Sequence, residues 1–160
     1  MLNWLLGSIV RSIFESGIFL MISIGLTLTL AVVKLPNFAH AEFITIGAYT
    51  TLIVTQFLPN NLPFALIASF LISGLIAIVV HQLAYKPLIK RRSSLYILVL
   101  ASFAVAQFLR YTVFILASIG GMLSAHPLIN VVPVLYIAGQ ALTNIYLLTL
   151  LLAILSAVFL

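Results

Sequence analysis

The segment Lys34–Tyr49 reads KLPNFAHAEFITIGAY and lies between two long apolar runs. It contains a proline, an asparagine, a histidine and Glu42, which is one of the two acidic residues of the chain. A lipid bilayer offers no water to exposed backbone, so an irregular polar segment is tolerated there only where protein or a water-filled cavity surrounds it. The segment therefore predicts a broken or re-entrant stretch near Pro36–Glu42 and, as a first hypothesis, a transport pathway.

The composition extends this interpretation to the whole chain. Of its 160 residues 64% are hydrophobic and 6% are charged, and its mean hydropathy is +1.34. Soluble domains contain about 25% charged residues, so the sequence predicts an all-α, polytopic membrane protein and excludes a soluble domain. The chain has no cysteine, which excludes disulfide and thiol chemistry.

The formal net charge of +5 does not indicate nucleic-acid binding. Four basic residues fall within one short segment between apolar runs, where the positive-inside rule predicts a cytoplasmic topology anchor. Contact with anionic lipid is the second interpretation of this cluster. Its members are Lys86, Lys90, Arg91 and Arg92.

About five apolar segments are long enough, or nearly long enough, to span a bilayer. We expect 1–160 to form a single transmembrane domain, with Met1–Ser12 as an interfacial lead-in. The connector Ile119–Asn144, which is rich in glycine and proline, predicts a short helix or a re-entrant turn. The predicted helices are Ile13–Val33, a second one ending at Leu58, Phe64–Tyr85, Leu95–Ser118 and Ile145–Leu160.

Small residues recur every four positions in two of these segments. Such stripes allow a neighbouring helix to approach closely in a membrane. We therefore expect helix packing along Gly47, Thr51 and Thr55 in the second helix and along Ser69, Ser73 and Ala77 in the third.

Four polar residues of the apolar segments each allow two interpretations. Asn37 is a helix N-cap or a substrate contact. Glu42 has a functional or buried paired role, or complements the helix dipole. His40 either pairs with Glu42 or is structural. Arg110 snorkels to the outer headgroups, which the sequence favours, or pairs with a carboxylate or lines an outer vestibule.

No enzymatic constellation is visible in the sequence. Glu15 and Glu42 are too far apart for paired acid–base catalysis. The three histidines show no metal-ligand spacing, and no phosphate-binding Gly-Lys loop is present. We therefore expect no enzyme activity, no metal and no cofactor bound by this chain.

An ordered series of residues resembles the branched-chain amino acid ABC importer permeases. Gly25-Leu26-Thr27 leads through Asn37-Phe38-Ala39-His40-Ala41-Glu42-Phe43 to Gly47-Ala48-Tyr49, similar to the N-F-A-H-G-E and G-[AS]-Y pattern of that family. Ala41 stands where the family usually has glycine. Further matches are Lys86-Pro87-Leu88 and Tyr136-Ile137-Ala138-Gly139.

The resemblance implies a multi-pass permease subunit of the cell membrane. Such subunits pair with a second, homologous permease, receive substrate from an extracytoplasmic binding protein and are driven by two cytoplasmic ATPase subunits, which use the ATP. The implied substrates are branched-chain or related amino acids, urea or short amides. The implied translocation path has as its candidates Asn37, Phe38, His40, Glu42 and Tyr49.

The resemblance covers about the first half of a typical family member, so we expect a partial permease domain. Two rival interpretations stay open. The first is a small oligomeric channel-like or scaffold protein that associates through the small-residue stripes, and the second is a truncated permease without function. In each case the partners include membrane lipid and exclude nucleic acid.

Overall fold

The computed structural model describes residues 2–33, 37–137 and 139–158. The described chain is mostly helical, which confirms the predicted all-α membrane fold. Its elements, in chain order, are α1 (Leu2–Val33), α2 (His40–Phe57), α3 (Leu62–Val80), a π-helical turn (His81–Tyr85), α4 (Lys86–Lys90), α5 (Leu95–Ile119), β1 (Pro133–Ile137), β2 (Gln140–Thr143) and α6 (Asn144–Val158).

Three helical stretches of the described chain are long and apolar enough to cross a membrane: Leu5–Ala31, Leu62–Lys90 and Leu95–Ile119. The helix Asn144–Val158 is apolar but shorter, and α2 has 18 residues with Glu42 in its first turn. These three stretches are thus the candidate membrane spans of the described chain, while α2 begins at the predicted break.

Several threonine side chains in these helices bond to the backbone of their own helix. Thr27 donates to the carbonyl of Ser23 at 2.8 Å, Thr50 to that of Ile46 at 2.8 Å and Thr112 to that of Phe108 at 2.7 Å. An unpaired hydroxyl is costly in an apolar medium, and this local bond satisfies it without a partner helix. The helices can thus contain many serines and threonines and still face lipid.

The described chain forms two compact units. In the terminal unit, Met1–Ala31 and Asn130–Leu160, α1 and α6 pack closely where α1 has a glycine. A Cβ atom at Gly17 would lie 3.5 Å from the Cα of Leu150, and the rings of Phe14 and Tyr146 meet edge to face at 6.5 Å. At the start of α6, the side-chain oxygen of Asn144 accepts a hydrogen bond from the amide of Val132 at 3.1 Å.

In the central unit, Val32–Ile129, α2 packs against α3 and α5. Ala39, at the cap position before α2, and Ile46 of α2 form a buried cluster with Ala106 and Leu109 of α5. A tight turn reverses the chain between α2 and α3. There Asn61 accepts a hydrogen bond from the amide of Phe64 at 3.4 Å and caps α3, as expected of an asparagine before a proline-containing first turn.

The predicted third helix differs from the observed one at its carboxyl end. The predicted loop begins at Lys86, but the chain stays helical through the π turn and α4 to Lys90. Pro87 lies in the first turn of α4, where its missing N–H removes a helical hydrogen bond. The wider π turn immediately before it accommodates this change without ending the helix.

Two other segments also correct the sequence analysis. The predicted interfacial lead-in Met1–Ser12 is helical from Leu2 onwards and continuous with α1. The connector contains an antiparallel β hairpin, β1–β2, instead of a short helix or re-entrant turn. Its Val-, Leu- and Tyr-containing strand favours extended backbone, and Gly139 supplies the left-handed conformation (φ +79°) that the hairpin turn needs.

Candidate functional site

The first turn of α2 lies well inside the ends of its neighbouring helices. The amide of Phe38 donates to Ser102 Oγ at 3.3 Å, and Tyr85 Oη donates to Asn37 Oδ1 at 3.0 Å. Ser102 is seven residues after the start of α5, or about 10 Å along its axis. The chain enters α2 at this depth, as the polar segment predicts.

Asn37 stabilises the turn that leads into α2. Its Oδ1 atom accepts from the amide of Ala39 at 3.1 Å as well as from Tyr85. The helix itself begins at His40, with Ala39 at the cap position. The predicted N-cap role of Asn37 is therefore wrong in position, because the side chain caps a turn two residues before the helix starts.

We expect the Asn37–Tyr85 contact to show energetic coupling. Asn37→Ala removes both hydrogen bonds at Oδ1 and is expected to cost about 2 kcal/mol, whereas Tyr85→Phe removes one and costs about 1 kcal/mol. The double variant should then be about 1 kcal/mol more stable than the sum of the single effects predicts. Unfolding in mixed detergent and SDS micelles measures the stability of the wild type, of both single variants and of the double variant. Strict additivity would contradict the contact.

Glu42 and Arg110 form an ion pair between α2 and α5. Arg110 Nη2 and Nε donate to the same oxygen, Glu42 Oε1, at 2.7 and 2.9 Å. The Glu42 side chain is 4% exposed and that of Arg110 is 59% exposed. The carboxylate is thus enclosed by protein, while the guanidinium is enclosed on one edge only.

This pair corrects the favoured interpretation of Arg110. The sequence favours snorkelling to the headgroups, but the side chain turns to Glu42 instead. A buried carboxylate without a partner is strongly unfavourable in an apolar surrounding, so the pairing satisfies Glu42 as much as it positions Arg110. The signal in the sequence was the presence of both charges in apolar segments, a rare feature that predicts a partner.

The other predicted path residues lie around this pair but do not join it. Phe38 is half exposed and meets Phe103 edge to face at 6.1 Å. His40 is partly buried, and the carboxylate that the sequence offered it is bound by Arg110. Tyr49 lies two turns further along α2 and faces the cavities described below.

Sequence analysis missed the residues that share a face of α5 with Arg110. Helical spacing places positions 103, 107, 110 and 114 on one side of the helix. We call this side the Arg110 face; it consists of Phe103, Gln107, Arg110 and Phe114. Both phenylalanines are exposed and Gln107 is partly buried. A glutamine one turn from an arginine in an apolar helix was the available signal.

Two cavities follow α2 beyond the ion pair. One of about 270 Å³ lies among α2, α3 and α5 and has a mainly aliphatic lining that includes Ile46, Ile76 and Leu109. The other, about 390 Å³ and more open, lies between α2 and the segment 122–127. Tyr49 and Met122 contact both cavities. The two cavities thus lie next to each other along the helix that contains Glu42.

The predicted small-residue stripes meet each other within the chain. A Cβ atom at Gly47 would lie 3.2 Å from Ser73 Oγ, so α2 and α3 approach closely at this point. Thr55 and Ser69 are buried, and Thr51 and Ala77 are partly buried. Packing of α2 on α3 along the whole of both stripes stays a prediction.

Comparison with known proteins gives the family of this chain. The model of the family "Branched-chain amino acid transport system / permease component" matches residues 8–160. The chain belongs to this family. It is also 33% identical, over 94 residues, to the probable branched-chain amino acid transport permease protein LivH of Methanocaldococcus jannaschii.

That alignment covers 59% of this chain and 30% of the LivH protein, so the chain matches less than a third of that relative's length. No solved structure matches. The family is one of membrane transport proteins, which agrees with the long apolar helices described above.

The basic cluster of this permease-family chain lies away from the ion pair in sequence. Lys86 and Lys90 belong to α4, Arg91 and Arg92 to the turn after it, and all four are exposed. Within residues 2–33, 37–137 and 139–158, no group of three or more His, Asp or Glu side chains is placed to hold a metal ion.

Proposed function

We propose that this chain is a membrane-spanning permease subunit of an ABC importer and forms part of the translocation path for branched-chain or related amino acids. The family match over residues 8–160 carries the proposal. The Glu42–Arg110 pair supports a location for the path, because a half-exposed guanidinium among membrane helices requires water or protein beside it.

The path follows α2 in this proposal. Asn37 and Phe38 lie where the chain enters the helix, Glu42 and Arg110 follow one turn later, and Tyr49 stands between the two apolar cavities. The polar groups replace part of the hydration of a zwitterion, and the aliphatic lining accepts its side chain. No group here holds substrate tightly, which suits a path that must release what it admits.

The same proposal assigns the partners. Two cytoplasmic ATPase subunits supply the energy, a second homologous permease completes the membrane part, and an extracytoplasmic binding protein delivers substrate. The chain 1–160 then belongs to one multi-pass permease domain in the plasma or inner membrane. The exposed basic cluster, Lys86 to Arg92, marks the cytoplasmic side.

The internal contact of the small-residue stripes argues against a self-associating scaffold. That rival needs the stripes as surfaces for other copies of the chain. Gly47 and Ser73 instead face each other within one chain, and Thr55 is completely buried. The close approach of Gly47 and Ser73 within one chain thus supports the importer over this rival.

Co-purification tests the proposal directly. The tagged chain is expressed in its native membrane, solubilised in mild detergent and probed for an ATPase pair and a second permease. Recovery of this set, with ATP-dependent uptake of leucine after reconstitution, is the expected result. Recovery of self-associated chain alone, without an ATPase, would withdraw the importer assignment and favour the scaffold.

Thiol labelling tests where the path lies. The chain has no cysteine, so single-cysteine variants need no further background mutations. Gln107→Cys lies on the Arg110 face, while Phe108→Cys lies at the same depth about 100° around the helix, where Phe108 is 71% exposed. A charged methanethiosulfonate should label Gln107→Cys at least tenfold faster, because only water allows the thiolate to form. Equal rates would place the path elsewhere.

A further inference from the structure

The outer edge of the Arg110 guanidinium is free within the described chain. A guanidinium has five N–H donors, and Glu42 Oε1 accepts two of them. The structure gives Arg110 no other hydrogen-bond partner among the residues that it describes. Three donors thus point away from Glu42 on a side chain that is 59% exposed.

This edge lies far from both ends of α5. Arg110 lies nine residues before the end of α5 and fifteen after its start, or about 13 and 22 Å along the helix axis. Its inner edge is held by the buried carboxylate, which limits how far the side chain can extend. An exposed cation at this depth is costly against hydrocarbon, so the Arg110 face borders water or other protein.

The geometry points to Arg110 as the group that receives the carboxylate of the transported amino acid, with Phe103 and Phe114 beside its aliphatic side chain. This inference rests on the proposed function and specifies the contact that substrate makes. Carboxylates bind a guanidinium edge through two parallel N–H···O bonds, and the free edge of Arg110 offers such a pair. The rings of Phe103 and Phe114 are 50% and 56% exposed on the same face.

Glu42 adjusts the strength of this contact. It neutralises the charge of Arg110, so the pair as a whole matches a neutral zwitterion better than it matches an anion. It also accepts two of the guanidinium N–H donors, which weakens the binding of a second carboxylate by Arg110. A path residue needs this weak attraction, because substrate must leave as readily as it enters.

Protection of a cysteine by substrate tests the inference. Gln107→Cys is placed in the complete importer, reconstituted with its permease, ATPase and binding-protein partners. Leucine at saturating concentration should slow labelling by an anionic methanethiosulfonate at least fivefold. Leucinol, which lacks the carboxylate, should not, and Arg110→Gln should abolish the protection by leucine.

The outcomes separate this inference from the proposed function. The role of Arg110 is wrong if leucine is taken up but does not slow the labelling, or if leucinol slows it equally. It is also wrong if Gln107→Cys is not labelled in the absence of substrate. None of these three results contradicts the importer assignment. A fully assembled complex without leucine uptake would overturn the proposed function itself.

A charge exchange provides a second, independent measurement. If the pair only stabilises the helices, Glu42→Arg/Arg110→Glu restores both assembly and uptake. We expect assembly to return while uptake stays below a tenth of wild type, because the outward group is now a carboxylate. The matched control is Arg11→Glu/Glu15→Arg, a pair in α1 joined at 2.7 Å, which should leave uptake unchanged.

A conservative variant tests whether Arg110 binds the substrate carboxylate if the charge-exchanged variant fails to assemble. Arg110→Lys keeps the charge opposite Glu42 but loses the planar fork that binds a second carboxylate. The expected result is normal assembly with uptake reduced roughly tenfold at saturating binding protein, the loss of a bidentate contact. Normal uptake by Arg110→Lys would overturn the inference.

Discussion

Replacing Arg110 by alanine is expected to destabilise the protein by about 3 kcal/mol, the lower end of the range for breaking a buried ion pair. The cost arises at Glu42, whose side chain is 4% exposed and would lose both of its hydrogen bonds to Arg110. Glu42→Gln should cost clearly less, because the 59% exposed guanidinium can regain hydration when its partner loses its charge. Unfolding in mixed SDS micelles measures both variants.

The double variant Glu42→Gln/Arg110→Gln provides the control for this asymmetry. It contains no buried charge, so its stability should lie well above that of Arg110→Ala and close to that of Glu42→Gln. If Arg110→Ala and Glu42→Gln were equally stable, the carboxylate would not be enclosed as the structure places it.

Gly47→Leu should produce the second large effect. A Cβ atom at Gly47 already lies 3.2 Å from Ser73 Oγ, so a larger side chain must push α2 away from α3. Overpacking of this kind costs about 1–3 kcal/mol, and we expect the upper end because leucine adds further carbon atoms where the Cβ atom alone already makes a tight contact. The loss should appear as a lower midpoint in thermal unfolding of the detergent-solubilised protein.

Gly74→Leu is the matched control, since a Cβ atom there has no neighbour within 4 Å. It introduces the same side chain one residue from Ser73 and should leave stability unchanged or slightly higher, as leucine favours helix over glycine. Ser73→Ala should also be tolerated or stabilising, because Ser73 Oγ is buried without a hydrogen-bond partner. A similar loss in Gly47→Leu and Gly74→Leu would contradict the close packing.

The depth at which α2 begins was predictable from the residues themselves. Pro36 and Asn37 interrupt an apolar run, and Glu42 follows within one turn of the new helix. The hairpin β1–β2 was not predicted, although its strand residues and Gly139 favour it. Glycine and proline signal a turn in a hairpin and in a re-entrant loop alike, and their positions alone do not show whether the two flanking segments pair as strands.

The sequence by itself determined the membrane class, the long apolar helices, the break before α2 and the resemblance to the permease family. The bilayer selects for composition and for the length of apolar segments, and both are local properties of the sequence. Only the tertiary structure decided the partner of Glu42. Arg110 follows it by 68 positions, and no rule of spacing joins two charges on different helices. The way α2 packs on α5 brings them together, encloses the carboxylate and leaves one edge of the guanidinium open.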